Sequence, residues 1–210
     1  MARSRKRRPV PRQLSRRRSR LIPITGFIVL TFGLAWFFES QATSTIIFVR
    51  HTDTDLAMSA GDDPPLNALG LQRAELLADV VQHLDVVAGV DAIYASEFRR
   101  TQQTAAPLAR RLDLDVEVRN PYEVEEFMEQ VLADHKGEIV LVVTHSDALA
   151  PLVEELHGSK NIPVIEPDEY DNIYIVTIPW FGKVKTLRIH YGFYVPPTLG
   201  PFSGPATNRL

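Results

Sequence analysis

The sequence predicts a three-layer α/β/α sandwich with a mostly parallel sheet, preceded by one N-terminal transmembrane helix. Three observations carry this. From residue 45 onward, β-branched apolar runs alternate with segments of helical periodicity, the pattern of parallel strands joined by crossover helices. The strongest run, Glu138–Thr144 (EIVLVVT), is nearly all apolar, as a strand buried on both faces must be. Leu21–Phe38 (LIPITGFIVLTFGLAWFF) has no charge and follows a basic arm.

The arm comes first. Residues 1–20 hold ten Lys or Arg and no acid, leaving 13 basic against 26 acidic residues in the rest of the 210-residue chain. The arm is too rich in Arg, Ser and Pro to pack a core and is read as disordered. A basic run by itself suits nucleic acid, but the apolar segment behind it argues for a membrane and against nucleic acid. As a helix, 21–38 spans ~27 Å, near the lower limit for a bilayer. Trp36, Phe37 and Phe38 lie where an interfacial aromatic belt would be. Basic residues ahead of the span keep the N-terminus cytoplasmic. The expectation is therefore a single-pass protein of the inner membrane with its body periplasmic. A secretory signal cut near Ser40-Gln41-Ala42 is the alternative; the long basic region and poor cleavage site favour the uncleaved anchor.

The body is expected over residues 45–192. Thr45–Arg50 (TIIFVR) reads as a strand that ends in Arg50-His51. Thr52–Pro65, with four Asp, is an acidic loop behind it. Leu66–Leu84 reads as a helix capped by Asn67, with Gly70, Ala74, Leu77, Val81 and Leu84 on one face. Asp91–Ala95 is a second strand, and Ser96 the natural cap of a helix running to about Leu112. Asp113–Arg119 is a short strand. Tyr122–His135 is an acidic helix that buries Val124, Phe127, Met128 and Val131 or Leu132. Glu138–Thr144 is the central strand and ends in His145. Ser146–His157 is a helix stopped at Gly158. Tyr174–Ile178 and Val184–His190 are strands around a hairpin turn with Gly182. The Pro- and Gly-rich tail, 193–210, is expected to be irregular. Absence of cysteine excludes disulfides, thiolate metal sites and Cys nucleophiles.

Two strands thus end in histidine, and a parallel sheet puts both ends on one edge, where ligands bind in open α/β sheets. Arg100 sits in the first turn of a helix on that edge. Singly, each has a bland reading as a satisfied polar or surface residue. Together, two Arg, two His and helix N-termini describe a phosphate site, because unpaired cations gathered in one crevice call for an anion.

These residues carry a resemblance to the histidine phosphatase (phosphoglycerate mutase-like) superfamily, over about residues 45–192. Arg50-His51-Thr52 is similar to the family's Arg-His-Gly signature, and Leu66-x-x-x-Gly70-x-x-x-Ala74 to its first helix start. Ser96–Ala105 resembles the second-arginine motif, with Arg100 at the arginine, and Thr144-His145-Ser146 the second-histidine motif. The resemblance implies a phosphatase of the compact type, acting on a phosphomonoester or phosphohistidine of a small molecule or phosphoprotein. His51 would be the nucleophile and phosphohistidine carrier. Arg50, Arg100 and His145 would bind the phosphoryl oxygens, with Thr52, where the family has a small residue, a further candidate donor. No metal or cofactor is implied. Glu123, Asp147 and Asp53 are the candidates to protonate the leaving group. The short segment between Arg119 and Glu138 argues against a mutase, which needs a developed substrate cap. The alternative is an inactive relative that binds phosphorylated ligands or serves as a scaffold.

Overall fold

The computed structural model describes residues 15–40, 42–54, 63–84 and 89–192, in two compact units divided after residue 41. The first unit contains α1 (Ser15–Ser40). It starts inside the stretch expected to be disordered, because an apolar run once helical extends readily into Arg, a good helix former. Side chains are described over 23–37, all exposed. Among the described residues no helix is long and apolar enough to cross a membrane, so the span expected over 21–38 is not shown.

The second unit has the expected alternation: β1 (Ser44–Arg50), α2 (Ala68–Gln82), β2 (Ala92–Ala95), α3 (Arg99–Leu112), β3 (Val116–Val118), α4 (Val124–Asp134), β4 (Ile139–Thr144), α5 (Ser146–Glu155), β5 (Asn172–Ile178) and β6 (Lys185–His190). The strands form one sheet in the order β3-β2-β4-β1-β5-β6. The first four are parallel, while β5 pairs antiparallel with β1 and β6 antiparallel with β5. The sheet is therefore mixed, with β4 and β1 at its centre.

Side-chain alternation along the strands builds the layers. Ile46, Phe48, Val140 and Val142 face α4 and α5, meeting Phe127, Met128, Leu149 and Leu152. Ile47, Val49, Leu141 and Val143 face α2 and α3, meeting Leu77, Val81, Ala105 and Leu108.

The element ends differ from the sequence reading for local reasons. Asp113 takes a left-handed φ of 56° to end α3, so β3 starts only at Val116. The left-handed residue after α5 is His157, also at φ 56°, not Gly158. Gly158 is needed for space: a Cβ there would lie 2.7 Å from the Val153 carbonyl oxygen. Gly182, at φ 112°, serves the β5–β6 turn as expected. Residues 55–62 of the acidic loop, residues 1–14 of the arm and the tail from 193 lie outside the described residues.

The register sets the site. Arg50 pairs with Thr144 and Ala95 with Val143, so β1, β2 and β4 finish level with one another. Because β5 is antiparallel, it starts at the same edge, with Ile173 beside Val49. The loop before β5 is thereby delivered to the histidines.

Candidate active site

The structure brings His51, His145, Arg50 and Arg100 together. The rings of His51 and His145 are 5.4 Å apart, edge to face, and both residues are buried. His51 Nδ1 lies 2.8 Å from the carbonyl oxygen of Thr52. A carbonyl only accepts, so Nδ1 carries the proton and Nε2 keeps the lone pair. Burial drives the His51 pKa down to about 3, with His145, Arg100 and Arg50 adding repulsion. His145 is held at about 4 by burial and then by Arg100. Both imidazoles are neutral at physiological pH.

Each cation is clamped from behind. Arg50 Nη1 donates to the carbonyls of Glu166 (2.9 Å) and Glu169 (3.1 Å), and its guanidinium lies 4.2 Å over the Tyr170 ring. Its Nε is buried with no hydrogen-bond partner among the described residues, a donor waiting for an acceptor. Arg100 lies 4.2 Å over the Phe98 ring, with Nη1 3.8 Å from an Asp63 oxygen. α5 begins directly after His145, whose side chain does not cap it, and the Ala148 N–H of its first turn donates to Asp147 Oδ1 at 3.1 Å.

Several groups here were not singled out from sequence. Ser96, expected to cap α3, instead lies with Oγ 3.0 Å from His145 Nε2 and 2.8 Å from Thr101 Oγ1. Phe98 occupies the cap position, without a side-chain cap bond. The bond to Ser96 leaves Nδ1 as the His145 nitrogen for another partner. Tyr122 stacks parallel to the His145 ring at 6.3 Å, Phe98 packs edge-on to it at 5.1 Å, and Tyr170 lies 6.0 Å from His51. The only local signal was an aromatic beside each motif.

Thr52 differs from the expectation. It is fully buried, and its hydroxyl donates to the carbonyl of Gly70 at 2.9 Å. Its N–H donates to Thr104 Oγ1 at 3.1 Å. With its one hydroxyl proton used internally, Thr52 braces the nucleophile loop instead of offering phosphate a donor. Gly70 makes this packing possible: a Cβ there would lie 2.1 Å from the Asp53 carbonyl oxygen. The sequence placed Gly70 on the same helix face as Ala74 and Leu77; the structure shows that it admits the loop behind His51.

The three candidate acids separate. Asp53 is paired with the largely buried Arg73, Nε to Oδ2 at 2.5 Å. Glu123 is exposed, accepts from Asn120 at 3.0 Å and makes no described contact with either histidine. Asp147 accepts from the Tyr122 hydroxyl at 3.2 Å, and its charge acts on both His145 and Arg50. It is the candidate nearest the chemistry. Among the described residues, metal-ligating atoms come within 4.8 Å of one another at Glu169, Asp171 and His190, where the Glu169 carbonyl also holds Arg50.

Comparison with known proteins agrees with this geometry. The family model described as histidine phosphatase superfamily, branch 1, matches residues 46–121. A phosphohistidine phosphatase SixA homolog of Haemophilus influenzae is 26% identical over 160 residues, covering 69% of this chain and 93% of that protein. The structure of the protein histidine phosphatase SixA with tungstate matches with a TM-score of 0.56 at 23% identity, over 70% of this chain and 97% of that one. A mycobacterial glucosyl-3-phosphoglycerate phosphatase matches with a TM-score of 0.54 at 15% identity, over 70% and 98%. The two structures share the fold, and all three relatives are phosphatases by name.

Proposed function

We propose, for a chain whose residues 46–121 match the histidine phosphatase superfamily model, a metal-independent phosphatase working through a phosphohistidine on His51. The observation that carries this is the state of His51: neutral, its Nδ1–H tied to the Thr52 carbonyl so that Nε2 keeps the lone pair, in a site where the buried Arg50 Nε has no hydrogen-bond partner among the described residues. Nε2 attacks phosphorus in line, the bond from phosphorus to the leaving group breaks, and the leaving group takes a proton. Water then attacks the phosphoryl group, the P–N bond breaks, and the imidazole recovers its lone pair. Arg50, Arg100 and His145 hold the phosphoryl oxygens through both displacements.

Asp147 is the candidate acid, but it is tied to Tyr122, and Asp53 and Glu123 are engaged elsewhere. The site therefore favours substrates whose leaving group needs little acid help, such as the imidazole of phosphohistidine, over alkyl phosphates. α4 fills the link between β3 and β4, so a mutase is disfavoured. Phosphate release from phosphohistidine and aryl phosphate substrates, with and without chelator, tests the reading, with His51→Ala as control. Tight ligand binding without release would indicate a phospho-ligand-binding protein instead.

Attachment to the inner membrane, with the body periplasmic, is part of the proposal. It rests on the uncharged run behind ten basic residues. It also rests on the exposure of Phe27, Val29, Leu30, Phe32 and Trp36, all above 60%, which lie on different sides of α1. Protease digestion of intact and permeabilised cells tests it: a body digested only after permeabilisation from the cytoplasmic side would be incompatible.

A further inference from the structure

The end of the sheet opposite the histidines has its own chemistry. The body contains four lysines, Lys136, Lys160, Lys183 and Lys185. All four are exposed, and all four lie at the end where β1 begins. Lys136 precedes Gly137, whose N–H donates to Ser44 Oγ at 2.8 Å. Lys160 follows Ser159, whose N–H donates to Thr186 Oγ1 at the start of β6. Lys183 and Lys185 belong to the β5–β6 hairpin, whose turn lies at this end because β5 runs antiparallel to β1.

The same hairpin carries Trp180 and Phe181 at its tip, 53% and 85% exposed, their rings 6.2 Å apart. Of the acids at this end, Glu138 is paired with His135 and Asp91 accepts from the Ile139 N–H. Glu154 and Glu155 end α5 here, Asp134 ends α4, and Asp113 and Asp115 precede β3 at the far edge of the sheet, so the basic character belongs to the β5–β6 side, around Lys160, Lys183 and Lys185. The histidine edge is the reverse, rimmed by Asp53, Asp63, Asp147, Glu166 and Glu169.

We propose that this lysine- and aromatic-bearing end is a lipid-docking face, with Trp180 and Phe181 inserted at the interface of an anionic membrane. Aromatic side chains settle at the headgroup level, and lysines near an anionic surface contribute about 1 kcal/mol each. The proposal rests on the membrane attachment argued above. β1 starts at Ser44, so the chain enters the body at this end. Docking fixes the orientation of the site. β1 rises ~20 Å from Ser44 to Arg50, which holds the histidines clear of the bilayer and open to the aqueous side. The enzyme then serves a soluble phosphorylated substrate and not a lipid phosphate.

The chain has two tryptophans, Trp36 and Trp180, one in each segment under test. Full chains carrying Trp36→Phe or Trp180→Phe are reconstituted into vesicles of phosphatidylglycerol and phosphatidylcholine with brominated acyl chains. The proposal expects loss of Trp180 emission in the Trp36→Phe chain relative to unbrominated vesicles. Loss of Trp36 emission alone overturns the docking face and leaves the anchor standing. Loss of neither overturns both, and loss of Trp180 emission alone supports docking while removing the anchor.

Discussion

Burying two neutral histidines side by side should make the body acid-sensitive in a calculable way. His51 and His145 are held at about 3 and about 4, against 6.5 for the free side chain. Below pH 6.5 the unfolded chain therefore takes up a proton at each position, and the folded chain does not until the pH nears 4 and then 3. The unfolded state binds more protons throughout that window, so stability falls as pH falls. At ~1.4 kcal/mol per pH unit, each histidine contributes a loss of about 2 kcal/mol between pH 7 and pH 5, about 4 kcal/mol together. The assay is urea unfolding at pH 7 and pH 5 of the wild type and of a His51→Gln/His145→Gln chain. Other titrating groups are common to both, so the wild type should lose about 4 kcal/mol more than the double variant. Equal losses would mean that the histidines are hydrated and protonate normally, and the neutral-nucleophile argument would fall with them.

Three further outcomes follow from the packing behind the site. Gly70→Ala should destabilise the body by about 1–3 kcal/mol through overpacking, despite the usual helix gain, because its Cβ meets the Asp53 backbone at 2.1 Å. A raised melting temperature in that variant would contradict the close approach. Thr52→Val keeps the shape but removes the hydroxyl that bonds the Gly70 carbonyl and meets Thr104 Oγ1. Stability should drop by about 1–3 kcal/mol with KM unchanged, and a raised KM at full stability would make Thr52 a phosphate ligand after all. Ser96→Ala removes the partner of His145 Nε2. A fall in kcat of about three- to tenfold with little change in melting temperature is expected, and unchanged kcat would remove Ser96 from the site.

The alternation of strands and helices was legible because each strand is a continuous apolar run and each helix keeps one apolar face. The central pair of histidines was legible for the same reason, since parallel strands carry their ends to one edge. What closes around Arg50 was not. Glu166 and Glu169 hold it through backbone carbonyls, which no side-chain pattern advertises, and they arrive only because β5 reverses direction. Ser96 had the local signature of a helix cap, yet His145 from another strand claims its hydroxyl. Thr52 was read from its neighbour His51, and its burial depends on Gly70 and Thr104, distant in the chain. Asp147 could not be told from Glu123 and Asp53 until Arg73 and Asn120 were seen to engage the other two.

The most direct test is to stop turnover in acid-free quench and map the phosphoryl group on the protein. The account predicts an acid-labile, alkali-stable phosphoryl group on the peptide carrying Arg50-His51. It should form in the presence of chelator and be absent from His51→Gln. Phosphate release at wild-type rate from His51→Gln, or turnover with the phosphoryl group on another residue, would contradict it.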